Sequence, residues 1–157
     1  MNSMSSSKLI AAGPCFVVFA GPPGSGKSYL SERAVEMLRN AELFAMDEIR
    51  KEILPGPIND EEARTAAYRV MHFRAGLAVF GAKTAILDAT YFPVEARREL
   101  GEIARRLRVP LYVIQCWASP EEAVKRFRTR DKDHAGADLI SSRAARVNDF
   151  ETLRHGV

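Results

Sequence analysis

Residues Gly21-Pro22-Pro23-Gly24-Ser25-Gly26-Lys27-Ser28 limit this chain more than any other stretch, because they fit G-x-x-x-x-G-K-[ST], the phosphate-binding loop pattern. The flanks give the pattern its meaning. Cys15 to Ala20 is a short apolar run, punctuated by Gly13-Pro14, that reads as a buried parallel strand. Beyond the loop, Leu30, Ala34, Met37 and Leu38 recur at helical spacing. A triphosphate needs several backbone N–H donors pointing inward, and glycines let the chain wrap that closely. A helix starting under the phosphates adds free N–H groups and its positive dipole end. Lys27 is expected to reach the β- and γ-phosphates and the Ser28 hydroxyl to hold Mg²⁺, with Gly21 through Tyr29 as the nucleotide-binding stretch. The ligand implied is a nucleoside triphosphate.

A chain of 157 residues is one domain's worth, and 46% apolar with 27% charged residues is ordinary for a globular protein. The net charge of +3 is too small to argue for nucleic acid without local clustering. Cys15 and Cys116 fall at opposite ends of two expected strands, about 16 Å apart along the sheet, beyond disulfide reach. Both are expected to be buried free thiols in a reducing compartment. Lys8 followed by Leu9 to Ala20 imitates a signal peptide, but Gly13-Pro14 breaks the run and its second half is needed as a strand. No run approaches the ~18 apolar residues of a membrane span, so no membrane partner and a cytoplasmic location are expected. Residues 1–12 read as a disordered tail and 13–157 as a single domain.

Further along, Ala41 to Met46 reads as a second strand, with Asp47 capping a short helix through Ile53. Leu54 to Ile58 is a loop, because two prolines and a glycine exclude regular structure. Asn59 or Asp60 then caps a long helix whose inward stripe is read as Ala63, Ala66, Ala67, Val70, Phe73, Leu77 and Phe80. Thr84 to Leu87 is a third strand ending at Asp88, and Pro93 opens a helix burying Leu100, Ile103, Ala104 and Leu107. Leu111 to Cys116 is a fourth strand. Ser119-Pro120-Glu121-Glu122 is a capping box that starts an Arg-rich helix. Asp131 to Ala137 is a polar break, and a last helix runs from Asp138 to about Leu153. Strands alternating with helices define an α/β fold with a parallel sheet covered on both faces. Right-handed crossovers bring Gly21, Asp47, Asp88 and the residues after Cys116 to one sheet edge, where ligands of such sheets bind.

Two carboxylates at that edge have separate uses. One near a triphosphate can hold Mg²⁺ and another can take the proton of an attacking hydroxyl. Ala89 follows Asp88 where a motor-type ATPase carries a water-orienting Glu, which favours transfer over hydrolysis. Arg126 and Arg130 lie four apart on one helix face and suit the spread charge of a transferring phosphoryl group. Arg50, one turn beyond Asp47, suits an acceptor phosphate.

The loop, Met46-Asp47-Glu48-Ile49-Arg50-Lys51-Glu52, Ile86-Leu87-Asp88-Ala89-Thr90 and the Arg-rich segment together resemble the P-loop kinases related to polynucleotide kinase. Zeta toxins and chloramphenicol phosphotransferase are more distant members of that group, and the resemblance runs from Cys15 to about Asp149. It implies the P-loop NTPase three-layer sandwich, with about four parallel strands in the order 2-3-1-4 and a lid around 119–137. It implies an ATP- and Mg²⁺-dependent kinase in which Lys27 holds phosphate, Asp47 is the general base and Arg50 contacts the acceptor. Asp88 would support the acceptor pocket or the metal, and Arg130 with Arg126 would bridge the transferred and leaving phosphates. The acceptor stays open between a nucleic-acid 5′-hydroxyl end and a small molecule such as a sugar, nucleoside or antibiotic. No basic groove with stacking aromatics is legible. A module that binds or hydrolyses ATP without a phosphorylated acceptor is the reading from another class.

Overall fold

The computed structural model describes residues 13–53 and 61–130, with side chains through Arg126. The expected tail, the 54–58 loop with its Asn59 or Asp60 cap, the 131–137 break and the last helix lie outside the described residues, as does the Arg130 side chain. Among the described residues nine elements follow in order: β1 (Phe16–Ala20), α1 (Lys27–Met37), β2 (Ala41–Ala45), α2 (Met46–Ile53), α3 (Glu61–Phe80), β3 (Thr84–Ala89), α4 (Val94–Leu107), β4 (Leu111–Gln115) and α5 (Pro120–Arg130). Their described residues fall into two compact units. One holds 13–21, 27–53 and 61–116; the other holds 22–26 and 117–130.

In the first unit the four strands form one parallel sheet in the order β2-β3-β1-β4. Alternation along the strands splits the core in two. Phe16, Val18, Phe44, Ala85 and Leu87 pack with α2, α3 and α4 residues such as Ile49, Met71 and Leu100. Phe19 and Ile86 face the other way, with Ala34, Val35 and Leu38 of the α1 region. Helices therefore lie on both faces of β1, β2 and β3, whereas β4, expected to be covered as well, is exposed from Tyr112 to Gln115. β3 is buried along its whole length, and its centre, Ala85 to Leu87, is apolar for that reason. Cys15 and Cys116 are both buried and free.

Several elements differ from their sequence reading. Asp88 is not a residue beyond β3 but its fifth, and Asp47 lies inside the first turn of α2 rather than capping it. On α1, Leu30 and Met37 are exposed and Ser31 is buried, its hydroxyl donating to the Ser28 carbonyl at 3.0 Å.

The largest correction is on α3. Its buried face is Ala67, Tyr68, Met71, His72, Ala75, Ala78 and Val79, whereas Phe73, Leu77 and Phe80 are 66%, 56% and 82% exposed. Two apolar stripes interleave on this helix. The one with three small alanines packs inward, because alanines let α3 lie close against the sheet and α4. Phe80→Ser is accordingly expected to change stability by less than about 0.5 kcal/mol, and Met71→Ala to lower it by about 2–5 kcal/mol. Urea unfolding of the two variants checks this; a larger loss from Phe80→Ser would place the buried face where the spacing first suggested.

Candidate functional site

Strand register builds the site in the first unit. Asp88 stands between Ala45 of β2 and Phe19 of β1 in one row of the sheet. Gly21 leaves β1 two residues beyond that row, and Asp47 follows two residues after Ala45. Asp88 shares the β3 face of Ile86, the side that α1 covers. The Ser28 hydroxyl, at the start of α1, hydrogen-bonds to the Asp88 carboxylate. Burial pushes the Asp88 carboxyl above its ordinary value of 3.8; the Ser28 bond and the Lys27 charge pull it back, while Asp47 and Glu32 push it up. Lys27, Ser28, Asp47 and Asp88, four residues singled out in the sequence, are thus brought together electrostatically. Cys116 lies near the same charges. Burial pushes its thiol up, Lys27 lowers it and Asp88 raises it.

Asp47 is exposed and Arg50 half-buried, one turn apart on α2. Glu52 does not pair with Arg50; it holds Arg74 through two bonds of 2.6 and 2.7 Å. Arg50 forms no ion pair with any described residue. Tyr29 is 63% exposed on α1, so any contact it makes with a ligand is at the protein surface.

The second unit holds the middle of the loop. Gly24 has φ +78°, and a Cβ there would lie 2.9 Å from the Ala123 carbonyl oxygen and 3.0 Å from its Cα. The Ser119 hydroxyl accepts the Glu122 N–H at 3.2 Å, one half of the expected capping box, while the Glu122 carboxylate turns to Arg126 instead. Arg126 binds Glu122 through Nε at 3.0 Å and donates from Nη1 to the Gly24 carbonyl at 3.3 Å. A guanidinium therefore touches the loop backbone, although half of its bonding is an ordinary exposed helix pair. Ser25 is 5% exposed, and its buried hydroxyl has no hydrogen-bond partner among the described residues. An orphaned hydroxyl in a glycine-rich loop fits a phosphate oxygen as its missing partner.

Gly24→Ala is expected to lower stability by about 1–3 kcal/mol, through both the clash and the positive φ. Gly101→Ala, in α4 with nothing within 4 Å of its Cβ, is the contrast and should raise stability by about 0.5–1 kcal/mol. Thermal melting of the pair checks it; equal effects would mean that the loop does not pack on α5 as described.

Sequence reasoning missed Glu32. Its charge reaches Asp88, and its spacing of four from Ser28 on a helix was the available signal. It also passed over Arg64 and Tyr68, whose hydroxyl feels the Asp47 charge. For the metal, hydroxyl and carboxylate oxygens are the hard donors that Mg²⁺ takes, and the Ser28–Asp88 pair offers one of each. The described residues contain no group of three or more His, Cys, Asp or Glu that could hold a metal ion alone. None of their helices is long and apolar enough to cross a membrane.

Sheet order, loop and edge carboxylates define a P-loop kinase-like domain. Residues 16–150 match the family model AAA_33, described as an AAA domain, and the chain belongs to that family. None of the curated proteins matches it. Among solved structures, a chain of the Pnkp1/Rnl/Hen1 RNA repair complex is similar over 97% of this chain and 48% of its own, at 14% identity and TM-score 0.71. This chain thus spans about half of that one's length. The tunicamycin resistance protein of Deinococcus radiodurans is 16% identical over 86% of this chain and 80% of its own, TM-score 0.60. The APS kinase CysC of Mycobacterium tuberculosis, in complex with AMPPNP and APS, is 18% identical over 74% of this chain and 70% of its own, TM-score 0.62. At these identities the likeness is one of fold.

Proposed function

We propose that this protein is a phosphotransferase that moves the γ-phosphoryl group of ATP to an acceptor hydroxyl, with a polynucleotide 5′-hydroxyl end as the first acceptor to test. The observation that carries the reading is the convergence of Lys27, the Ser28–Asp88 pair and Asp47 at the C-terminal ends of β1, β3 and β2. A site of this kind needs little covalent chemistry from the protein; it positions the reactants and stabilises charge.

In the proposed reaction Lys27 and the loop amides hold the β- and γ-phosphates, and the Ser25 hydroxyl finds its partner there. Ser28 and Asp88 would hold Mg²⁺, which when bound neutralises charge on the phosphate oxygens. Asp47 takes the acceptor hydroxyl proton as the new O–P bond forms. The bond from the γ-phosphorus to the bridging oxygen breaks, and ADP leaves with that electron pair. Arg50, unpaired among the described residues, contacts an anionic group of the acceptor. Arg126, already on the Gly24 carbonyl, and Arg130 serve the developing phosphate charge.

Incubation with γ-labelled ATP, Mg²⁺ and a 5′-hydroxyl DNA or RNA oligonucleotide tests the reading, with Asp47→Ala as control. Label on the oligonucleotide that vanishes in the variant supports both reaction and acceptor. The fold is shared with APS kinase as well, so ATP binding without oligonucleotide label moves the acceptor to a small-molecule hydroxyl. Steady hydrolysis untouched by Asp47→Ala would overturn transfer altogether.

A further inference from the structure

A run of polar side chains in the first unit, buried at Tyr68, His72 and Tyr91 and half-buried at Glu99 and Thr90, has no part in the reaction just described. His72 on α3 is 1% exposed. Its Nδ1 lies 2.8 Å from Glu99 Oε2 on α4, and its Nε2 lies 3.2 Å from the Tyr91 hydroxyl. An ionised carboxylate only accepts, so Nδ1–H donates to Glu99, and the bare Nε2 of the neutral ring accepts the Tyr91 O–H. The Tyr91 backbone N–H in turn donates to the Tyr68 hydroxyl at 2.8 Å, and that hydroxyl lies 3.4 Å from Thr90 Oγ1. The three rings touch one another, with centroids 5.3 to 5.9 Å apart.

This network ends at the site. Thr90 is two residues beyond Asp88, and the Tyr68 hydroxyl feels the charges of Arg64 and Asp47. Tyr91 is buried with φ 53°, a left-handed conformation that a bulky residue keeps only when its surroundings over-determine it. Filling the same space with apolar side chains would need no such geometry. A fully satisfied buried polar network instead selects one arrangement.

We propose that His72 is a positioning residue for the phosphoryl acceptor. Through Tyr91 it holds the left-handed turn beyond Asp88, and through Tyr68 it holds the Thr90 hydroxyl on the Asp47 side of the site. The inference rests on the kinase reading above and adds a residue to it. The titratable groups bearing on the ring are Glu99 from α4, Tyr91 from the segment after β3 and Tyr68 from α3 itself. Burial lowers the imidazole below its ordinary value of 6.5 more than Glu99 raises it. Its contribution to stability is therefore complete above pH 6.5 and is lost as pH falls through the lower folded value. In the same range a proton arrives at Nε2, and the Tyr91 hydroxyl loses its acceptor.

Four proteins test this with γ-labelled ATP and the 5′-hydroxyl oligonucleotide: wild type, His72→Leu, His72→Gln and Tyr91→Phe. A glutamine amide spaces its N–H and carbonyl much as imidazole spaces its nitrogens, but it does not titrate. His72→Leu and Tyr91→Phe are expected to lower kcat/KM for the acceptor at least tenfold, with ATP affinity within twofold of wild type. His72→Gln is expected to stay within about threefold and to lose the share of the acid-side fall that imidazole protonation contributes. Unchanged acceptor kinetics in folded His72→Leu and Tyr91→Phe would overturn the proposal, as would a parallel loss of ATP affinity. If wild type labels no oligonucleotide, the acceptor reading fails separately, and amide exchange at Tyr91 decides the positioning. Exchange at least tenfold faster in His72→Leu, with β1 amides unchanged, supports it; equal exchange overturns it.

Discussion

Lys27→Ala is expected to lower phosphoryl transfer by on the order of 10³–10⁵, the range that a single cation on a transferring phosphoryl group supplies. The position of the lysine is the reason. It is the first residue of α1, and the Ser28 beside it bonds to Asp88. Its charge lowers both the Asp88 carboxyl and the Cys116 thiol, so it already works as the local counter-charge to a buried carboxylate. A triphosphate brings several more negative charges to the same place, and without Lys27 they would meet Asp88, Asp47 and Glu32 with less to balance them. Nucleotide affinity should therefore fall together with turnover. Label-transfer rates and nucleotide titration on the purified variant check both. Turnover within tenfold of wild type would remove Lys27 from the phosphate site.

Parts of this architecture are plain in the residues and parts are hidden, for physical reasons. β1 and β3 lie in the middle of the sheet, and Cys15 to Ala20 and Ala85 to Leu87 show it as apolar runs. The loop between β1 and α1 is legible because its glycines answer a backbone requirement, not a packing preference. α3 is different. Its buried face includes Tyr68 and His72, whose polar ends are satisfied by partners 19 to 27 residues away in sequence. Spacing alone discounts such residues and favours Phe73, Leu77 and Phe80, which turn out exposed. The same limit hid Glu32 and Tyr68 from the site, since each enters through charge or hydrogen bonding between separate elements. Asp47 and Asp88 are legible as candidates at the sheet edge because strand ends are where an α/β sheet gathers its chemistry. Their true places, inside α2 and inside β3, shift them by a residue or two without moving them from that edge.

Asp47→Asn is expected to leave the fold and ATP binding intact while lowering transfer by about 10²–10⁴, the usual worth of a general base. The side chain is exposed in the first turn of α2, so little packing depends on it. A carboxylate there also favours the helix dipole, but an exposed one contributes only about 0.3–1 kcal/mol, well within what a stable domain tolerates. The charge that is lost lies near Asp88, where it was one of the repulsions raising that carboxyl, so its removal does not weaken the Ser28–Asp88 pair. What asparagine cannot do is take a proton from an attacking hydroxyl. The variant should therefore separate binding from chemistry: nucleotide affinity near wild type, with label transfer to the acceptor nearly gone. Equal affinity with unchanged turnover would take Asp47 out of the mechanism, and Glu32 would then be the next carboxylate to test.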